Sequence, residues 1–177
     1  HALVLGFLAT ATTAPSLRAR GPASSRAADP LTRVVGKAGG ACRPVGMAEG
    51  LLPAPLPQCS AAALSPVLDA ADVVMLIGAR LNWLLSHGKG KTWGAAPKKF
   101  IQVDIEPKEM DSNVEIAAPL VGDIGSCVSA LLNGMGGSWP APPADWMKSI
   151  TAKREENVAK MAPRLMNNNS PMDYHGA

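Results

Sequence analysis

Seven residues, VVMLIGA from Val73 to Ala79, run without one polar interruption. A strand with one wet face alternates apolar and polar residues, whereas a strand covered on both faces does not. The run is far short of the roughly 20 apolar residues that a membrane-spanning helix needs. It reads as a parallel strand buried on both faces, and whatever flanks it must supply two apolar covers.

The neighbouring segments have the right periods for that task. Within Ala61 to Ala71, the residues Leu64, Val67 and Leu68 share the i, i+3, i+4 spacing of one helix face. Pro66 suits a first turn there, with Ser65 as its N-cap. Downstream come a short amphipathic stretch, LNWLL, and a glycine–lysine loop, HGKGKTWG. KKFIQVDIE follows as a second strand ending in acid, APLVGDI as a third short strand, and Gly125 to Leu132 as a further helix. Strand and helix alternating at this spacing imply right-handed parallel crossovers. The expected fold is α/β, a Rossmann-like doubly wound parallel sheet.

The flanks read differently. The chain has 17 Gly and 16 Pro in 177 residues, crowded into its first third and around 134–143, so order is assigned to the middle. Residues 1–30 carry turn-formers and arginines (TTAPSLRARGPASSRAADP) and are expected to be irregular. Ala2 to Ala14 imitates the apolar core of a signal peptide, but it lacks a basic leader and follows His1. A start inside a larger gene product is the preferred reading. Residues 31–135 form the expected ordered domain. Residues 136–177 read as a linker and one helix, with Asp145 as N-cap, a Glu156–Lys160 pair at i, i+4 and a stop near Pro163.

Charge and cysteine content exclude several classes. Seventeen Lys+Arg against 14 Asp+Glu leave +3, with no basic stripe interleaved with aromatics, so no nucleic-acid partner is expected. No membrane association is expected either. Cys42, Cys59 and Cys127 are odd in number and lack a CxxC, and His1, His87 and His175 are scattered. That pattern predicts reduced thiols in a cytoplasmic protein, without a zinc site.

Chemistry is expected at the strand exits, because ligands of open parallel sheets bind outside the carboxyl ends. Three loops leave such ends: Gly78-Ala79-Arg80, Asp104-Ile105-Glu106 and Gly122-Asp123-Ile124. Glycine at an exit lets backbone approach a ligand, and Arg80 can hold phosphate or stack on a purine. Asp104 can accept both ribose hydroxyls; Asp123 can hold a further polar group or simply cap the next helix. No GxGxxG stands here, so the usual NAD site is disfavoured. Gly90-Lys91-Thr92 imitates the end of a P-loop, but the first glycine of that motif would fall at Leu85. The GDI of 122–124 lacks the third glycine and downstream asparagine of the GDG metal motif of thiamine enzymes. No GxSxG or HExxH is present.

Three segments together make the chain recognisable. ADVVMLIGARLNWLLSHGKGKTWG, KKFIQVDIEPKEMDSN and IAAPLVGDIGSCVSALL resemble the central domain of bacterial oxalyl-CoA decarboxylases. These are thiamine-diphosphate enzymes related to the 2-hydroxyacyl-CoA lyases and acetolactate synthases. PVGMAEGLLP and NNNSPMDYHGA are similar to flanking family segments, so the resemblance spans about residues 44–177, with a faint continuation back to Leu31. HGKGKTWG favours the decarboxylase over the lyases. Residues 1–30 do not resemble the family.

The resemblance implies the middle of three domains, with ADP bound as activator by Arg80, Asp104, Ile105, Asp123 and Ile124. It implies thiamine diphosphate, Mg²⁺, an acyl-CoA substrate and a homotetramer for a full-length enzyme of oxalate breakdown. The residues that hold thiamine diphosphate and metal belong to the other two domains, so this chain is expected to be a fragment, inactive alone. Two alternatives stay open: a fragment of a 2-hydroxyacyl-CoA lyase, and a stand-alone adenine-nucleotide-binding regulatory module.

Overall fold

A computed structural model describes residues 2–11, 13, 16–19, 25–44 and 64–166. Five parallel strands form one sheet in the order β2-β1-β3-β4-β5. They are β1 (Ser16–Ala19), β2 (Cys42–Pro44), β3 (Val73–Ile77), β4 (Lys99–Asp104) and β5 (Ile116–Val121). The helices are α1 (Ala2–Thr10), α2 (Ser25–Ala38), α3 (Leu64–Ala70), α4 (Ile124–Gly134) and α5 (Ala144–Leu165).

The uninterrupted apolar run is β3, and every one of its residues is buried. Its side chains divide between two covers, as the period of a strand requires. Val73, Met75 and Ile77 join Ile101 and Val103 of β4 beneath α1, α2 and α4, where Leu8, Leu31, Val34, Val35, Val128 and Leu131 close the layer. Val74 and Leu76 face the other way, against Leu68 of α3, Leu81, Leu85, Trp93 and Phe100. In that second layer Trp93 and Phe100 meet with ring centroids 5.5 Å apart and tilted by 59°. The indole Nε1 donates to the Leu85 carbonyl at 2.8 Å, so the loop between β3 and β4 is pinned from inside.

Strand β5 lies at the sheet edge, which is where Pro119 can be tolerated. A bulge sets its facing. Phe100 pairs with Ile116 and the next residue, Ile101, with Ala118, so Ala117 is extra. Ile116 therefore joins the Phe100 layer, while Ala118 and Leu120 join the layer under α4.

Two flank expectations need correction. Residues 1–30 are not irregular: they include α1, β1 and the start of α2, and α2 runs across the expected boundary at residue 31. The helical period of α1 is invisible because ALVLGFLAT is apolar on every side, although only Val4 and Leu8 are buried. Strand β1 has four residues and is specified by backbone pairing with β2 and β3 rather than by its side-chain pattern. In the carboxyl-terminal helix, Pro143 rather than Asp145 is the N-cap, and Asp145 lies in the first turn. The helix ends at Leu165, close to the stop expected near Pro163. It seats Trp146 and Ile150 against Val67 and Ala41. Helix α3 already includes Leu64, so Ser65, expected as its N-cap, lies inside the helix; residues 61–63 lie outside the described residues.

Candidate functional site

The carboxyl ends of β3, β4 and β5 come level with one another, and a cleft of about 330 Å³ opens over them. The backbone ladders extend one residue past the strands: Gly78 N donates to Val103 O at 2.8 Å and Gly122 N to Asp104 O at 2.9 Å. Gly78 has φ +58, the left-handed turn that glycine adopts without steric cost, and it directs the chain out toward Arg80.

Arg80, Asp104, Ile105, Asp123 and Ile124, the five residues singled out from sequence, all line this cleft. Each is held in a definite way. The Arg80 guanidinium, 58% exposed, donates through Nη1 to Glu109 Oε1 at 2.8 Å. Asp104 Oδ1 accepts from the Glu106 amide at 3.1 Å, tightening the turn after β4. Ile105 is 71% exposed, an apolar side chain left at the cleft instead of in the core. Asp123 caps α4, its Oδ2 accepting from Ser126 N at 2.9 Å and Ser126 Oγ at 3.0 Å. Of the two roles open to Asp123 from sequence, the cap is the one these bonds fill.

Sequence reasoning missed Glu109 and Ala27, which also line the cleft. Glu109 carried a weak signal, as the second acid of EPKE three residues after Glu106 and just past a strand. Ala27 carried none, because its place depends on how α2 docks. The turn bearing Glu109 is tied to the sheet by Gln102, a buried polar side chain of β4 whose Nε2 donates to the Glu109 carbonyl at 3.1 Å.

Other groups with chemical potential are occupied structurally. Cys127 packs behind Gly122, and burial, reinforced by the negative charge of Asp123, pushes its thiol above the usual range. That is a neutral packing group, not an activated thiolate. Cys42 is buried, and Cys59 and two of the three histidines, His1 and His175, lie outside the described residues. Lys89 of the glycine–lysine loop and Lys98, just before β4, border a smaller hollow of about 270 Å³ with Gly88, Gly90 and Trp93. Lys98 is already engaged, donating to the carbonyls of Asp69 at 3.0 Å and Ala71 at 2.8 Å. Among the tryptophans, Trp83 is exposed, Trp93 is buried and Trp139 packs partly against the core.

A parallel sheet with its cleft at a strand exit, walled by an arginine, acids, the exposed Ile105 and the half-buried Ile124, defines the class as a Rossmann-like α/β domain. Comparison with known proteins narrows this. Residues 7–131 match the model of the thiamine pyrophosphate enzyme central domain, and the chain belongs to that family. It is 40% identical over 173 residues to the oxalyl-CoA decarboxylase of Escherichia coli (strain K12), covering 98% of this chain and 30% of that protein. It is 35% identical over 158 residues to 2-hydroxyacyl-CoA lyase 1 of Mus musculus, covering 88% of this chain and 27% of that protein. A solved structure of a putative thiamin diphosphate-dependent enzyme from Mycobacterium smegmatis shares the fold, with a TM-score of 0.58 at 20% identity. That match covers 80% of this chain and 27% of the other. The chain thus spans about three tenths of the length of the curated relatives it matches. The family match begins at residue 7, well inside the segment that does not resemble the family on inspection.

The residues present do not fit the magnesium and diphosphate that the family implies. Asp123, the acid of the GDI triplet, is committed to the α4 cap. Among the described residues, no group of three His, Cys, Asp or Glu is placed to hold a metal ion. Also among them, no helix is long and apolar enough to cross a membrane.

Proposed function

We propose that this chain supplies the central, ADP-binding domain of an oxalyl-CoA decarboxylase. The observation that carries the reading is the convergence of Arg80, Asp104, Ile105, Asp123 and Ile124 on one cleft at three adjacent strand exits. In this reading Arg80 meets the phosphates, Asp104 accepts from the ribose hydroxyls, and Ile105 and Ile124 wall the adenine. Asp123 borders the site where it caps α4.

The whole enzyme would convert oxalyl-CoA to formyl-CoA and CO₂ in the cytoplasm, as a homotetramer using thiamine diphosphate and Mg²⁺. Those groups would be held by the other domains, so the chain alone is inactive in this reading. The higher identity to the decarboxylase than to the mouse lyase supports the choice of reaction. A 2-hydroxyacyl-CoA lyase is the second reading, supported by a 37% identity over 134 residues to the human enzyme.

Calorimetric titration of the folded chain with ADP tests the site. Arg80→Ala and Asp104→Ala should each weaken binding by about ten-fold, the scale of one charge-assisted hydrogen bond. Absence of ADP heat at millimolar ligand, with circular dichroism showing folded protein, would refute the assignment.

A further inference from the structure

The cleft contains an internal rival for the phosphate. Among the described residues lining it, Arg80 is the one cation, against the carboxylates of Asp104, Glu106, Glu109 and Asp123. Of these acids, Glu109 is the one paired with Arg80, at 2.8 Å. It does not hang on a loose loop. Its amide donates to Glu106 O at 3.1 Å, and its carbonyl accepts from Gln102 Nε2 at 3.1 Å and Ser112 Oγ at 3.0 Å. Gln102 is itself 2% exposed, flanked in β4 by the buried apolar residues Phe100, Ile101 and Val103. A buried amide holding one turn fixes where the Glu109 backbone stands, and the Arg80 pair then places the carboxylate.

We propose that Glu109 sets the affinity of this cleft for phosphate by competing for Arg80. The inference rests on the nucleotide reading and assigns Glu109 a role that opposes binding. A phosphate reaching Arg80 either displaces the Glu109 carboxylate or shares the guanidinium with it. Displacement forfeits the ion pair, and sharing places two anions within a few ångströms of each other. Both routes cost affinity, and the pinned turn keeps the root of the Glu109 side chain within reach of Arg80. The cost falls on the phosphate alone, because the base and ribose contacts do not involve Arg80.

The test is calorimetry on the 177-residue chain and on Glu109→Gln, with ADP and with adenosine. Exposed ion pairs are weak, so Glu109→Gln should tighten ADP binding by about two- to five-fold. Adenosine binding should not change. In an Arg80→Ala background the gain from Glu109→Gln should shrink toward nothing, which is the coupling that a double-mutant cycle isolates. Glu109→Ala, which keeps the backbone bonds to Gln102 and Ser112, repeats the measurement should the glutamine variant misfold. The proposal is overturned if Glu109→Gln binds ADP no more tightly than the unmodified chain. It is equally overturned if adenosine gains as much as ADP, or if the gain persists without Arg80. ADP binding by the unmodified chain without a gain in the variant removes only the role of Glu109. Folded proteins that all ignore ADP remove the nucleotide reading and this inference together.

Discussion

Strand β3 and helix α1 feed the same apolar layer, yet they are held in it very differently. Every residue of β3 is buried, on both faces, with hydrogen-bonded neighbours on each side. Helix α1 buries Val4 and Leu8 and leaves Leu3 59% exposed. Its Phe7 ring sits only 4.6 Å from the Lys99 ammonium at the amino end of β4, a contact of modest strength near the surface. One element is enclosed by the fold and the other is laid against it. Apolar composition alone therefore does not rank elements by how much of the fold depends on them.

Core truncations should separate the two regions most strongly. Ile101 lies next to β3 at 0% exposure, and Ile101→Ala should cost about 2–5 kcal/mol of unfolding free energy in denaturant titration. Leu8→Ala in α1 should fall at or below the low end of that range, about 2 kcal/mol, because the helix can shift to close the gap. Equal losses at the two sites would abolish the distinction and make α1 as integral as the sheet.

The same contrast governs what was legible beforehand. An unbroken apolar run bounded by Asp72 and Arg80 has few readings, and two further strands follow it at βαβ spacing. Those strand ends also fix where a ligand can sit, which is why Arg80, Asp104, Ile105, Asp123 and Ile124 could be named together. Helix α1 offered no period to read, since a helix apolar on all sides looks like a buried run or a leader segment. Strand β1, with Arg18 among its four residues, offered no pattern either. Glu109 was hidden for another reason. Its role depends on a turn held by Gln102, and a glutamine inside a strand does not reveal which carbonyl it will reach.

Helix α4, against which α1 lies, carries an explicit cap, and its removal probes a finer difference. Asp123→Ala strips the acceptor for Ser126 N and Ser126 Oγ. Loss of an N-cap of this kind should cost about 1 kcal/mol by thermal or denaturant unfolding. Asp123→Asn keeps an oxygen acceptor and should recover most of that. Full recovery together with an unchanged response to ADP would mark the residue as structural. A loss of ADP binding in the folded asparagine variant would instead show that the carboxylate charge serves the ligand.

The smallest effect belongs to α5, where surface charge rather than burial supports the outer turns. Glu156 accepts hydrogen bonds from Lys153 at 2.8 Å and from Lys160, and these bonds hold its carboxyl down at about 2, from 4.5. A depressed carboxyl pKa means that the unfolded chain binds more protons than the folded one between those two values. The contribution is therefore complete above pH 4.5 and is lost as pH falls toward 2. The melting temperatures of the unmodified chain and Glu156→Gln should differ slightly near neutral pH and converge across that window. Salt should narrow the gap throughout, since both lysines and the glutamate are solvent-exposed. A gap that stays constant through the acid range would mean that the carboxylate–lysine pairs contribute nothing to the folded state and that α5 rests on Trp146 and Ile150 alone.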